Sequence, residues 1–131
     1  MNYRYLCTMG ANIAPEANFA AARELLSQFG HAYYSRAVYT QPVAMTTNHQ
    51  FLNALFIFVT DLDPVSLKEQ FNTIEQRLGR DRDDPLSAQK DRPMDIDILG
   101  DCCSSEAWQQ VPSYLQCVVP NLRPIVEQLS H

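Results

Sequence analysis

The chain predicts an α+β domain built from an antiparallel sheet with helices packed on one of its faces. Three observations carry this. Apolar spacing switches between period two and period 3.6 in the order β-α-β-β-α-β. Both helical stretches stop at a glycine, Gly30 and Gly79. The run Phe51–Thr60 is apolar at nearly every position, as in a central strand covered on both faces.

Tyr3–Thr8 alternates as the first strand. After Gly10-Ala11-Asn12, Pro15 suits the first turn of a helix, where its missing N–H costs nothing. Phe19, Ala22, Leu25, Leu26 and Phe29 then recur at helical spacing up to Gly30. Residues 32–40, rich in Tyr, Val and Ser, form the second strand, and Gln41–Gln50 is a loop with Pro42 and the polar Thr46-Thr47-Asn48-His49. Phe51–Thr60 follows as the third strand. Asp63-Pro64 starts the second helix, whose Leu67, Phe71, Ile74 and Leu78 fall at i, i+4, i+7 and i+11 before Gly79. A charged loop, 80–92, leads into a fourth, acidic strand. This order is that of a ferredoxin-like βαββαβ sandwich, here followed by a short C-terminal extension. The extension carries Trp108, Val111-Pro112, Val118-Val119-Pro120 and a short helix near Ile125–Leu129.

With 131 residues, the chain is expected to form one domain, residues 1–131, with a core over 1–100 and the extension over 101–131. Hydrophobic residues make up 46% and charged residues 19%, which excludes a disordered polyelectrolyte. The net charge of −5 argues against a broad nucleic-acid footprint, so a polyanion would need a local basic cluster or metal ions. The longest apolar run, Phe51 to Val59, is interrupted by Asn53 and too short to span a bilayer. The start, Met1-Asn2-Tyr3-Arg4-Tyr5, shows no signal-peptide pattern, so a cytoplasmic location is expected. Cys7, Cys102, Cys103 and Cys117 lack metal-binding spacing and read as free thiols, with Cys7 in the core. His31, His49 and His131 suggest no site.

The acidic strand is the most informative segment. In Arg92-Pro93-Met94-Asp95-Ile96-Asp97-Ile98-Leu99, the apolar residues alternate with Asp95 and Asp97. Both carboxylates therefore share one face, roughly 6–7 Å apart along the strand at about 3.3 Å per residue. That spacing serves no packing purpose, and it suits one or two hard cations that take oxygen ligands and complete their shell with phosphate. The plain alternative is a solvated acidic face. Arg77, Arg80, Arg82, Lys90 and Arg92 gather just ahead of the strand. Arginine forks match phosphate oxygens and stay charged, so the pairing suits a magnesium–nucleoside triphosphate, unless Arg80-Asp81-Arg82-Asp83-Asp84 is only a self-compensating loop. No P-loop motif is present. Asn53, an amide in an apolar strand, needs a hydrogen-bond partner if buried.

In combination these residues resemble the 6-hydroxymethyl-7,8-dihydropterin pyrophosphokinase family, over about residues 3–100. The resemblance rests on Gly10-Ala11-Asn12, Tyr39-Thr40-Gln41-Pro42, Phe51-Leu52-Asn53, Glu75 with Gly79-Arg80-Asp81-Arg82, and Arg92 leading into Asp95-Ile96-Asp97-Ile98-Leu99-Gly100. It implies diphosphate transfer from ATP to a pterin alcohol in folate synthesis. It also implies that Asp95 and Asp97 hold two Mg²⁺ ions bridging the ATP phosphates, with Arg80, Arg82 and Arg92 as catalytic groups over the triphosphate. By the same resemblance Asn72, Glu75, Arg82 and Arg92 contact ATP. Gln41, Pro42, Phe51 and Asn53 receive the pterin, with Phe51 against the ring or, alternatively, packed in the core.

The resemblance weakens after Gly100. Val111-Pro112 is followed by Ser113 where the family has a histidine, a few residues are missing before Val118-Val119-Pro120, and an arginine and a second aromatic go with them. Tyr114 is the nearest substitute for the aromatic. Three readings follow: an active diphosphotransferase, a degenerate homologue that binds nucleotide or a pterin-like ligand without turnover, or a ferredoxin-like interaction module whose acids and arginines are surface charge.

Overall fold

A computed structural model describes residues 3–40, 50–79 and 93–129. Its strands are β1 (Tyr3–Ala11), β2 (His31–Tyr34), β3 (Val38–Thr40), β4 (Phe51–Thr60) and β5 (Asp95–Asp101). Its helices are α1 (Pro15–Leu26), α2 (Pro64–Arg77), α3 (Ser105–Gln109) and α4 (Val119–Leu129), with a 3-10 segment over Ser113–Val118. The strands form one antiparallel sheet in the order β2-β4-β1-β5, with β3 also on β4. This is the ferredoxin-like arrangement expected from the sequence.

Strand alternation divides the core in two. Tyr5, Cys7, Met9 and Ala11 of β1, Leu52, Ala54, Phe56 and Phe58 of β4, and Ile96 of β5 face α1 and α2, which contribute Phe19, Ala22, Leu26, Leu67, Phe71 and Ile74. Leu6, Leu55 and Ile57 face the other way, onto Ala107, Trp108, Val111, Leu115, Val118 and Leu122 of the C-terminal segment. The extension is therefore the second layer over part of the sheet, and β4 is covered on both sides. Trp108 donates its indole N–H to the Cys102 carbonyl at 2.7 Å, and the Arg4 guanidinium donates to the Leu129 carbonyl, which fastens this layer to β5 and β1.

The helix ends follow the expected chemistry. Asp63 caps α2 by accepting the Ser66 N–H at 2.8 Å, Pro64 sits in the first turn, and Gly79 beyond the last turn has φ 107°, open to glycine at little cost.

Three elements differ from the sequence reading. β1 continues to Ala11 rather than stopping at Thr8, so Gly10 lies inside the strand, paired to Asn53 on one side and Asp95 on the other. The stretch 32–40 is two short strands. Four residue steps from Tyr34 to Val38 face three from Phe56 to Asn53, so one residue bulges out. Ser35 repairs the ladder there: its N–H donates to the Leu55 carbonyl at 2.8 Å, and its hydroxyl accepts the Leu55 N–H at 3.0 Å. Finally, helix begins at Val119 rather than near Ile125 and carries Pro124 in its interior.

Candidate active site

Among the described residues, the acid strand β5 is a sheet edge, paired only with β1. Ile96 faces the α1/α2 core, so Asp95 and Asp97 project to the opposite face, half-exposed and exposed respectively. The register then places a row across that face: Asp95 beside Gly10, Gly10 beside Asn53, Asn53 beside Val38. One step along lies Asp97 beside Thr8, and Thr8 beside Leu55. Neighbouring strands are about 4.8 Å apart, so Asn53 lies roughly 10 Å from Asp95 across the sheet. Phe51, two residues before Asn53, shares this face; it is half-buried and belongs to neither buried cluster.

Asn53 is nearly buried, at 6% exposure, and its amide is oriented. Its Nδ2 donates to the Thr40 hydroxyl at 2.7 Å and more weakly to the Phe51 carbonyl at 3.4 Å. Its Oδ1 lies above Gly10, where an added Cβ would come within 2.7 Å of it. The glycine is thus what leaves room for the amide.

Asp97 pairs with Lys68 of α2 at 3.5 Å, with both side chains about half-exposed (51% and 42%). Such a pair exchanges readily with a stronger cation. An oxygen-only donor set, open to solvent and already drawing an ammonium, fits a hard divalent ion. Asp97 also helps hold the neighbouring buried Cys7 thiol well above its ordinary value, although burial is the larger cause.

Asn72 and Glu75 lie on α2, beside β5. Among the described residues, Asn72 Oδ1 is buried with no hydrogen-bond partner. Glu75 is fully buried, and its Oε2 accepts the Ile96 N–H at 2.7 Å. Gln41, Pro42, Arg80, Arg82 and Arg92 fall outside the described residues. Within those described, Asp95, Asp97, Phe51 and Asn53 come together on one face, and Asn72 and Glu75 flank its edge.

Sequence reasoning missed Lys68, and it gave Gly10 and Thr40 no role in the site although both lie in motifs that carry the resemblance. A glycine within an alternating run was a usable signal for Gly10; Thr40 and Lys68 gave none. A separate concavity, lined by Cys102, Cys103, Trp108 and Arg123, lies at the far end of β5 from the acids. Asp101, Cys102 and Cys103 bring their ligand atoms within 4.8 Å of one another there.

Fold and face together define a ferredoxin-like domain whose candidate site, two carboxylates and an oriented amide, lies at one end of its sheet. Residues 6–124 match the family of 7,8-dihydro-6-hydroxymethylpterin-pyrophosphokinase (HPPK), and the chain belongs to that family. It is 33% identical over 95 residues to 2-amino-4-hydroxy-6-hydroxymethyldihydropteridine pyrophosphokinases from two strains of Porphyromonas gingivalis, covering 70% of this chain and 65% of theirs. It is also 33% identical over 94 residues to the folate synthesis bifunctional protein of Arabidopsis thaliana, 70% of this chain and 19% of that protein. The chain thus spans just under two thirds of the length of the bacterial relatives it matches. Among the described residues, no helix is long and apolar enough to cross a membrane.

Proposed function

We propose that this chain transfers diphosphate from ATP to 6-hydroxymethyl-7,8-dihydropterin, releasing AMP. The observation that carries the reading is the Asp95–Gly10–Asn53 row. It joins a carboxylate face for metal–polyphosphate to an oriented amide for a flat heterocycle within one site. Family membership and the names of the bacterial relatives support the same substrate pair.

In this reading, the pterin hydroxymethyl oxygen attacks the β-phosphorus in line. A P–O bond forms, the bond to the α-phosphate oxygen breaks, AMP leaves, and the hydroxyl proton passes to solvent. Asp95 and Asp97 would hold two magnesium ions, which would supply charge neutralisation along the polyphosphate. Asn53 reads the polar edge of the ring, Phe51 and Pro42 bound it, and Gln41 adds backbone contacts. Arg80, Arg82 and Arg92 draw in the phosphates. Asn72 offers its unpartnered oxygen to a nucleotide N–H. Proximity and electrostatics account for the rate, without a covalent enzyme intermediate. The four cysteines are free thiols, which supports a reducing, cytoplasmic setting.

The C-terminal layer favours a second reading, ligand binding with little turnover. Arg123 is the only Lys or Arg in residues 101–131, and its guanidinium stacks over the Trp108 ring at 4.1 Å. Tyr114 is 47% exposed. Losing one charge-assisted phosphate contact costs about 1.5–3 kcal/mol, roughly ten- to a hundred-fold in rate. The deciding experiment follows AMP release from ATP and Mg²⁺ with the hydroxymethyl pterin. Pterin-dependent AMP supports the transferase. Metal-dependent ATP binding without AMP leaves the binder, and metal-independent or absent binding overturns both in favour of an interaction module.

A further inference from the structure

Glu75 is an anomaly in an otherwise apolar stripe. It sits one turn after Phe71 and next to Ile74, fully buried, at a position where leucine would pack without desolvating a charge. Its Oε2 accepts the Ile96 N–H at 2.7 Å. On an edge strand alternate amides point away from the partner strand, and Ile96 presents one of these to α2. Ile96 is also the residue between Asp95 and Asp97. One buried hydrogen bond therefore fixes the backbone from which both carboxylates project.

We propose that Glu75 is a positioning residue for the metal site. It sets the spacing and direction of Asp95 and Asp97 through the Ile96 amide and acts on the nucleotide through that strand, without needing to touch it. The proposal rests on reading the two aspartates as metal ligands. A buried side-chain acceptor on α2 suits a strand that, among the described residues, has no second neighbouring strand to hold it. Groups that orient metal ligands typically change metal affinity or activity by roughly 10- to 100-fold when removed. A group that only stabilises the fold would lower thermal stability and leave metal affinity alone.

The test uses the full chain with Mn²⁺ as the probe and a non-hydrolysable ATP analogue. Glu75→Leu, apolar, somewhat shorter and without an acceptor, is expected to weaken Mn²⁺ binding roughly 10- to 100-fold. Glu75→Gln, whose amide oxygen still accepts the Ile96 N–H, is expected to stay near wild type. Hydrogen exchange adds a readout independent of metal. The Ile96 amide of the metal-free wild type is expected to exchange as slowly as amides paired inside the sheet, and to speed up in the Leu variant. Equal Mn²⁺ affinity in the Leu variant and wild type overturns the proposal, as does a Gln variant as impaired as Leu. Fast exchange of Ile96 in the wild type does so too, and it decides the matter alone if the Leu variant fails to fold. Asp97→Ala separates the premise: unchanged Mn²⁺ binding there overturns the metal-site reading itself, while the exchange result stands apart.

Discussion

The side-chain oxygen of Asn53 occupies the space above Gly10 that a β-carbon would need, at 2.7 Å from where that carbon would sit. Gly10→Ala must therefore push the amide aside. The obstacle is the end of a side chain, so the strand survives at a cost of about 1 kcal/mol. In the proposed reading the pterin then loses its oriented partner. Pterin KM is expected to rise well beyond what the stability loss explains, with ATP KM little changed; steady-state kinetics and thermal unfolding together check this.

Thr40 anchors the other end of the same amide. Thr40→Val keeps the shape and removes the acceptor for Asn53 Nδ2. Weaker pterin binding is expected, with no further loss from Thr40→Val in an Asn53→Ala background. A double-mutant cycle by calorimetry measures that coupling.

The Lys68–Asp97 pair predicts a separation of stability from function. Both side chains are about half-exposed, so Asp97→Ala should change unfolding free energy by no more than about 0.5 kcal/mol. Metal-dependent nucleotide binding is expected to disappear in the same variant. Denaturant titration beside Mg²⁺-dependent binding of an ATP analogue tests both.

Ser35 carries a structural prediction. Its hydroxyl accepts the Leu55 N–H and donates to the Arg36 carbonyl, and the residue is buried at 4% exposure. Ser35→Ala orphans the buried amide and is expected to cost about 1–3 kcal/mol in urea unfolding. A surface serine would cost far less.

Alkaline stability follows from Tyr34. Burial pushes its phenol up to about 12, against the opposing pull of Arg23, whose guanidinium lies 4.5 Å from the ring centre. The folded state thus favours the neutral form. That contribution is complete below the unfolded value of about 10 and is lost as pH rises through about 12. Stability is expected to fall across that interval. Tyr34→Phe should shrink the fall without removing it, because Tyr5 is also raised to about 12. Unfolding free energies measured across this range decide.

The β-α-β-β-α-β order was legible because each element bears a clean periodicity, and the acid pair because Met94, Ile96 and Ile98 alternate with it. The break at Ser35 was hidden: residues 32–40 read as one strand, and only the pairing with β4 shows the surplus residue. The second layer was obscured because Pro112, Pro120 and Pro124 interrupt any helical pattern there, although Pro120 lies in a first turn where proline is tolerated. Glu75 was identified as a residue of interest through family resemblance alone. Its grip on Ile96 depends on how α2 lies along β5, which no local pattern encodes.

The bulge has a consequence for how these molecules behave in company. Among the described residues, β2 and β3 form the sheet margin opposite β5, and the surplus residue cuts that margin into pieces of four and three residues. A strand from another molecule seeking to extend the sheet would meet an interrupted, bent template rather than a long straight one. Deleting one residue at Ser35 to straighten the kink is therefore expected to favour aggregation even if the fold survives.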